Sequence, residues 1–343
     1  MSADPKVSVI MPVRDGARWV REAVESMLCQ TLDALELIII DDGSSDETPA
    51  ILQALGRRDG RIRIVQQQAE GLVAALNRGL TLAQAPLLAR LDADDFAAPD
   101  RLARQVSCFD SDKSLVLLGS WATKIDNGGR AVGLLRPETD AQRLPAILMR
   151  RNPFIHSSTM LRTSLLRDLG GYRSAFLGAE DYDLWLRLSE CGTIANLPHA
   201  LIRYRVHAAS TSSSMSLRQS FSARLARAAA AGRRLNGVDP ADELRGPPDW
   251  WSSEATAGFS AEASHICRFL DCASRPVIEA RQAGDVRPLS ADEVFGLSHA
   301  EKRVACRSML NFMTTRKGVK LIPPSRTAAM AAALLLGRAL FRA

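Results

Sequence analysis

The chain has 343 residues, of which 46% are apolar and 24% charged, and its formal net charge is +6. These ordinary globular values exclude a wholly disordered, collagen-like or low-complexity chain, and the length allows one large domain or two ordinary ones. The positive charge is concentrated late, since residues 302–343 include nine basic residues and no acidic one.

The first hundred residues alternate between strand-like and helix-like patterns. Four apolar runs are typical of buried strands: residues 7–11 (ended by Pro12), 35–40, 61–65 and 87–91. Helical patterns or helix starts lie between and after them: residues 17–30, 41–48 (with Ser45 or Asp46 as cap), 71–83 and 99–110. This β-α-β-α order predicts an α/β fold with a mostly parallel sheet flanked by helices.

The pattern changes along the rest of the chain. Residues 115–160 look mixed, and an amphipathic helix containing Asp181 is expected after Gly178. Beyond about residue 212, helical patterns occur at 216–236 and 290–312, with a Gly-Pro-Pro break at 246–248. We therefore expect one domain over residues 1–215 and a mostly helical C-terminal extension over residues 216–343.

Cysteines and apolar segments bear on the compartment. The six cysteines are scattered, which favours reduced thiols and a cytoplasmic location. His265, Cys267 and Cys272 do not have the spacing of a zinc site. An apolar strand begins after only six residues, without the pattern of a signal peptide, and the apolar run at 328–337 is too short to span a bilayer.

Three carboxylates follow the fourth predicted strand, at Asp92, Asp94 and Asp95. Because like charges repel and are costly to bury unpaired, a cation is their natural partner. Oxygen ligands suit Mg²⁺ or Mn²⁺, which often bridge to phosphates. The alternative is a surface turn in which an aspartate caps the next helix.

A second acidic pair, Asp41 and Asp42, follows the second predicted strand. Ligands of parallel α/β sheets bind beyond the carboxyl ends of the strands, so both acidic segments are expected in one site. Turn chemistry explains the Asp-Gly-Ser sequence about as well as a ligand site does.

Glu180 and Asp181 begin the amphipathic stretch after Gly178, while His156 and His207 each follow an apolar or strand-like run. A carboxylate at a helix start can act as a general base at a cleft, or it can simply interact favourably with the helix dipole. Either histidine can be a ligand or a structural residue. The local pattern leaves these alternatives open.

Taken in order, these motifs resemble glycosyltransferase family 2. The resemblance rests on VSVIMP (7–12), IDDGSSDET (40–48), GLVAALNRG (71–79), ARLDADD (89–95), PDRL (99–102), NPFIH (152–156), GGY (170–172), EDYDLWLR (180–187) and YRVH (204–207). Each motif is weak alone, whereas the ordered set over about residues 6–212 is specific. The chain after about residue 220 is not covered.

The resemblance implies a Rossmann-like GT-A fold and sugar transfer from a nucleotide donor with inversion at the anomeric carbon. Six residues would bind the nucleotide or donor: Pro12, Arg14, Asp41, Asp42, Asp92 and Asp94. Asp94 and His207 would hold a divalent metal, Mn²⁺ or Mg²⁺, and Asp181 would be the catalytic base. The donor or acceptor pocket would include His156, Glu180 and Asp95.

Departures from the family pattern qualify this expectation. Arg14 stands where a Tyr-Asn pair is often found, and it could stack on the base or pair with Asp42. The processive signature Gln-x-x-Arg-Trp is absent, so transfer of a single sugar is expected, with a UDP-sugar favoured. Two alternatives are a sugar-phosphate nucleotidyltransferase and a nucleotide-sugar-binding protein without catalysis.

The expected acceptor is a hydroxyl of a glycan or lipid-linked glycan, as in cell-envelope polysaccharide synthesis. The basic, partly apolar segment 302–343 could lie on the inner face of a membrane or pack as a final helix. No nucleic-acid-binding motif or aromatic interleaving accompanies the charge, so a nucleic-acid partner is not expected.

Overall fold

The computed structural model describes residues 4–207 and 216–247. Among these, one compact unit comprises residues 4–174 and 180–207, and a second comprises residues 175–179 and 216–247. The domain boundary near residue 215 stays a prediction, because it falls among residues outside the described part.

The first unit is built on one nine-stranded sheet. Its first half consists of parallel neighbours in the order β3-β2-β1-β4: β1 (Val7–Val13), β2 (Leu35–Asp42), β3 (Ile62–Gln67) and β4 (Leu87–Arg90). The helices between them are α1 (Val20–Leu28), α2 (Thr48–Gly56) and α3 (Leu72–Leu82). This half confirms the predicted β-α-β-α series.

Strand β1 continues through Pro12 to Val13, two residues beyond the predicted end. Pro12 cannot donate a ladder hydrogen bond, which normally confines proline to strand edges. Here β4 pairs only with residues 7–10 of β1, whereas β2 accompanies β1 to Val13. Pro12 therefore lies beyond the shorter partner strand, where a missing N–H costs nothing.

The second half of the sheet is mixed. Its strands are β5 (Phe96–Ala97), β6 (Leu115–Ile125), β7 (Ala131–Leu135), β8 (Met160–Arg162) and β9 (Thr193–Arg205). Strand β8 is antiparallel to β4 and β6, while β6 and β9 run parallel along most of their length. Parallel pairing therefore dominates the first four strands and not the later ones.

Four further helices lie in the first unit: α4 (Arg101–Ser111), α5 (Leu144–Leu148), α6 (Thr163–Asp168) and α7 (Glu180–Leu188). Helix α7 confirms the helix expected after Gly178. Two predicted helices begin later in the structure than the sequence pattern indicates. Helix α1 begins at Val20 and not at residue 17, because residues 16–19 form a turn in which Val20 N–H donates to the carbonyl of Gly16. Helix α4 begins at Arg101, two residues after Pro99. Asp46 accepts a hydrogen bond from Thr48 N–H (2.9 Å) at the start of α2.

The core of the first unit is aliphatic, as the low aromatic content indicates. Fully buried side chains of β1 and β2, among them Val9, Met11, Leu37 and Ile39, pack with Val24 and Met27 of α1. Burying such side chains contributes roughly 1.5–3 kcal/mol each. The sheet is thereby a rigid base for the loops at its carboxyl edge.

In the second unit, helix α8 (Ser216–Asn236) confirms the helix predicted over 216–236. None of the helices within residues 4–207 and 216–247 is long and apolar enough to cross a membrane. Cys29, Cys108 and Cys191 are free thiols, as expected. The helix predicted at 290–312, the basic segment 302–343 and the other three cysteines lie outside the described residues.

Candidate active site

The two acidic segments lie at one edge of the sheet. Strands β1, β2 and β4 are parallel neighbours, so their carboxyl ends point the same way. Val13 pairs with Asp41 at the end of β2, and Asp92 follows β4 after one residue. Segments 41–42 and 92–95 therefore lie at the same edge of the sheet, and their expected membership of one site stays a prediction.

Asp42 is buried and organises the loop that enters α3. Its Oδ1 accepts hydrogen bonds from Gln67 Nε2 (2.8 Å) and Glu70 N–H (2.8 Å), and its Oδ2 accepts one from Gly71 N–H (2.9 Å). Asp41, also buried, accepts a hydrogen bond from Ser44 N–H (3.0 Å). Since a carboxylate can accept about four hydrogen bonds, Asp42 keeps room for one further donor.

The loops after β1 and β2 are clamped together. Asp15 Oδ1 accepts hydrogen bonds from Ser45 N–H (2.7 Å) and Ser45 Oγ (3.1 Å), while Asp15 N–H donates to Ser44 Oγ (2.9 Å). Arg14 points outward with 55% of its side chain exposed, and its ion pair is with Asp15 at 4.0 Å. The suggested pairing of Arg14 with Asp42 is therefore not formed.

Asp92 is held by two side chains. Arg90 Nη2 donates to its Oδ1 (2.6 Å), and Ser157 Oγ donates to its Oδ2 (2.6 Å). Burial disfavours the charged carboxylate, but Arg90 and Ser157 together bring the pKa of Asp92 below its ordinary value. Asp92 is thus a fixed anion at the end of β4.

Asp95 is the most enclosed of the three carboxylates after β4. It is buried, and its Oδ1 accepts a hydrogen bond from Arg205 N–H (2.8 Å) at the end of β9. Burial and the neighbouring Asp92 and Asp94 raise its pKa well above the ordinary value. Whether Asp95 contributes to the donor or acceptor pocket stays a prediction.

The side chains of Asp94 and His207 are in direct contact. Asp94 Oδ2 lies 2.9 Å from His207 Nε2, with 30% of the Asp94 side chain and 9% of the His207 side chain exposed. The His207 ring packs on Trp19 at 4.6 Å between centroids. Burial and Asp92 raise the pKa of Asp94, and the His207 contact opposes them.

This pair fits a divalent ion. The carboxylate oxygen of Asp94 and the imidazole nitrogen of His207 are donors that Mn²⁺ accepts, and their 2.9 Å separation is that of a direct hydrogen bond between the two side chains. Within the described residues no group of three or more His, Cys, Asp or Glu side chains is arranged to hold a metal. Two protein ligands suit an ion whose other positions are taken by water and phosphate.

Asp181 lies in the first turn of α7. Asn152 Nδ2 donates to its Oδ2 (2.8 Å), and Tyr182 N–H donates to its Oδ1 (2.6 Å). Burial raises the pKa of Asp181 to about 6, although both hydrogen bonds and Arg90 oppose the rise. Such a carboxylate is ionised at neutral pH yet basic enough to accept a proton.

His156 lies between two aromatic side chains. Its Nε2 is 3.1 Å from the Tyr172 hydroxyl, and its ring meets the Trp185 ring edge-on at 5.7 Å. Burial and the positive charge of Arg90 lower the pKa of His156 to about 3, so the imidazole is neutral. Glu180 is buried at the first residue of α7. Whether His156 and Glu180 touch donor or acceptor stays a prediction.

Five supporting residues have no role predicted from the sequence. Four of them lie within the motifs, namely Arg90, Asn152, Tyr172 and Arg205, and Ser157 directly follows the NPFIH motif. The sequence does indicate a role for Arg90, because an arginine in an otherwise apolar buried strand needs an anion as its partner. The other four act through contacts between residues far apart in sequence, which local patterns do not report.

Comparison with known proteins identifies the family. The model described as "Glycosyl transferase family 2" matches residues 8–170. The putative glycosyltransferase EpsE of Bacillus subtilis is 36% identical over 210 residues, which cover 60% of this chain and 74% of EpsE. The chain belongs to glycosyltransferase family 2. The O-antigen biosynthesis glycosyltransferase WbnJ of Escherichia coli is 33% identical over 212 residues, covering 61% of this chain and 82% of WbnJ.

Solved structures show the GT-A fold of this family. Staphylococcus aureus TarS 1–349 with UDP-GlcNAc aligns with a TM-score of 0.53 and 19% identity, over 82% of this chain and 88% of that one. The mannosyltransferase PcManGT of Pyrobaculum calidifontis, with GDP-Man and Mn²⁺, gives 0.50 and 18%, over 98% and 86%. The predicted fold and family are both confirmed, and the chain is a glycosyltransferase.

Proposed function

We propose that the chain transfers one sugar from a nucleotide-sugar donor, a UDP-sugar by preference, to a hydroxyl of a glycan or lipid-linked glycan, with inversion and with Mn²⁺ or Mg²⁺. The observation that carries the proposal is the pairing of Asp94 with His207 at the sheet edge. Arg90 relates Asp181 to this edge, because it pairs with Asp92 and its positive charge also favours the ionised form of Asp181. One relative is a glycosyltransferase of O-antigen biosynthesis, which supports a role in cell-envelope polysaccharide synthesis.

On the donor side, the loops after β1 and β2 supply the nucleotide pocket. Pro12 lies near the carboxyl end of β1 and Arg14 directly follows that strand, while Asp41 and Asp42 are the last two residues of β2. The hydrogen bonds between Asp15 and Ser45 join the loops that follow the two strands. TarS is described with UDP-GlcNAc and PcManGT with GDP-Man, so both bases are compatible with the fold. Asp92, fixed by Arg90 and Ser157, is suited to accept a hydrogen bond from a ribose or sugar hydroxyl.

Asp94 and His207 would hold the divalent ion, which when bound supplies Lewis-acid stabilisation of the negative charge that develops on the departing diphosphate. The contact of Asp94 with His207 orients both ligand atoms beforehand. Arg205 fixes the Asp94 backbone from behind, since its Nε donates to the Asp94 carbonyl (3.0 Å).

On the acceptor side, Asp181 removes the proton from the attacking hydroxyl. Its pKa of about 6 leaves most of the carboxylate ionised at neutral pH. Attack from the face opposite the leaving diphosphate gives inversion in a single displacement. Asp181 would thus assist the bond that forms to the acceptor oxygen, and the divalent ion held by Asp94 and His207 would assist the bond that breaks to the diphosphate.

A thermal-shift panel tests the donor and metal parts of this proposal. UDP, GDP, dTDP and CMP are each added with Mn²⁺ and with chelator. We expect UDP with Mn²⁺ to stabilise the protein, by about 2.7 kcal/mol at 100 times its Kd, and chelator to abolish the effect.

Asp94→Ala should lose the metal-dependent shift while its ligand-free unfolding temperature stays near that of the wild type. Asp110→Ala, which removes an exposed carboxylate of α4, is the matched control and should keep the shift. Equal stabilisation with Mn²⁺ and with chelator, or an unaltered shift in Asp94→Ala, would contradict the assigned metal site.

A further inference from the structure

Asn152 contacts the proposed catalytic base from a neighbouring loop. Its Nδ2 donates to Asp181 Oδ2 (2.8 Å), and its Oδ1 accepts a hydrogen bond from Phe154 N–H (3.0 Å). The two partners fix the orientation of the amide, because a backbone N–H can only donate and an ionised carboxylate can only accept. Rotating the amide by 180° would lose both bonds.

The loop that carries Asn152 is itself anchored. Pro153 restricts Asn152 to extended backbone. Asn196 Nδ2, on β9, donates to the carbonyls of Pro153 (3.1 Å) and Glu138 (2.9 Å). Phe154 is buried, and its ring lies 6.2 Å from that of Trp185 in α7. The Asn152 amide is therefore held at a fixed place relative to the helix that bears Asp181.

We propose that Asn152 is a positioning residue that fixes the Asp181 carboxylate and favours its ionised form for proton removal from the acceptor. The proposal rests on the assignment of Asp181 as base. With Asn152 on one oxygen and Tyr182 N–H on the other, the carboxylate plane is set. One acceptor site on each oxygen stays available for an incoming hydroxyl.

The charged surroundings of Asp181 give the amide an electrostatic role. The positive charge of Arg90 in β4 favours the ionised form of Asp181. Glu180 in α7 and Tyr172 in the loop after α6 lie near enough to interact electrostatically, since, besides burial, Asp181 and Glu180 both raise the pKa of Tyr172. Burial raises the pKa of Asp181 to about 6 even with the Asn152 bond in place. Loss of that donor must raise the pKa further, toward the pH at which the enzyme works.

Asn152→Asp tests this contact with nearly no change in shape. The new carboxylate can still accept the Phe154 hydrogen bond, but it faces Asp181 with an acceptor instead of a donor. Near pH 5 the two carboxyl groups can share a proton, and by pH 8 both are ionised and repel each other. We expect the unfolding temperature of the full-length variant to fall below wild type by about 3–5 °C more at pH 8 than at pH 5.

Two further variants separate this effect from added charge or general damage. Asn127→Asp places the same charge on an exposed turn, and its unfolding temperature should not fall further below wild type at pH 8 than at pH 5. Asn152→Asp combined with Asp181→Asn restores one amide and one carboxylate with the roles exchanged. This double variant should regain wild-type stability at both pH values. It should still be inactive, because its carboxylate is at position 152 and no longer at position 181, where the proton is accepted.

Turnover is followed without added acceptor as hydrolysis of UDP-GlcNAc and GDP-mannose, in which water gives its proton to Asp181, takes the sugar and releases the nucleoside diphosphate. In Asn152→Asp we expect the acid limb of the rate against pH to move up by one pH unit or more, with the donor KM unchanged. The role of Asn152 would be overturned if the unfolding temperatures of Asn152→Asp and wild type differed by the same amount at pH 5 and pH 8. It would also be overturned if the acid limb of the rate profile of Asn152→Asp did not move. Wild-type release by Asp181→Asn alone would instead overturn the base, while the stability comparison would still decide the contact.

Discussion

At the scale of single residues, the environment assigns different states to chemically identical carboxylates. Asp92 is kept as an anion by Arg90 and Ser157, whereas burial raises the pKa of Asp181 to about 6. A fixed anion suits hydrogen bonding to a sugar, and a weaker acid suits proton transfer. The division of labour proposed for the two residues therefore follows from their neighbours.

Arg90 gives a prediction at this scale. It is fully buried, Asp92 is its ion-pair partner, and its Nε and Nη1 have no hydrogen-bond partner among the described residues. Arg90→Met would leave Asp92 without its counter-charge. We expect a loss of about 2–3 kcal/mol in the free energy of unfolding, less than for a fully buried pair because Asp92 is 36% exposed.

Urea unfolding measures this loss, and Arg104→Met is the matched control. Arg104 pairs with Asp100 one turn away on α4, and both side chains are nearly half exposed. Such pairs contribute about 0.5 kcal/mol or less. Similar losses in the two variants would show that the Arg90–Asp92 pair is no more important than a surface pair.

At the scale of elements, a pair of glycines after α6 places Tyr172. Gly170 and Gly171 have φ values of +76° and +70°. Asn77 of α3 then holds the Tyr172 backbone with two hydrogen bonds, at 2.9 Å to N–H and 2.8 Å to the carbonyl. The Tyr172 hydroxyl in turn contacts His156. A turn thus connects α3 to the site.

The two glycines make a matched pair of substitutions. A Cβ at Gly171 would stand 2.5 Å from Asn77 Oδ1, whereas a Cβ at Gly170 meets nothing within 4 Å. Gly170→Ala should cost about 1 kcal/mol from backbone strain alone. Gly171→Ala should cost about 3 kcal/mol, since it also displaces the Asn77 clamp. Urea unfolding decides, and equal costs would mean that the clamp adds nothing.

The same scale shows how far the sequence predicts this structure. Strands β1 to β4 and their helices follow from local apolar patterns, and the parallel strands then place Asp41 and Asp92 at the same edge of the sheet. The extension of β1 through Pro12 depended on how short β4 is. The contacts of Asp95 with Arg205 and of Asn152 with Asp181 join residues 110 and 29 positions apart, and hydrophobic periodicity carries no information about such pairs.

At the scale of the whole molecule, charge is divided along the chain. Residues 302–343 combine nine basic residues with the apolar run at 328–337. Basic side chains near an anionic membrane contribute about 1 kcal/mol each, and apolar residues add to this by entering the headgroup region. We propose that this segment binds an anionic membrane surface, at which a lipid-linked acceptor would be concentrated.

Vesicle sedimentation tests this proposal on the full chain and on a chain truncated after Glu301. We expect the full chain to sediment with phosphatidylglycerol vesicles at low salt and to be released at high salt, because the attraction is screened within a Debye length. Vesicles of phosphatidylcholine alone are the control and should bind little. If the truncated chain sediments as well as the full one, membrane contact does not reside in residues 302–343; if neither sediments, the enzyme meets its acceptor away from the lipid surface.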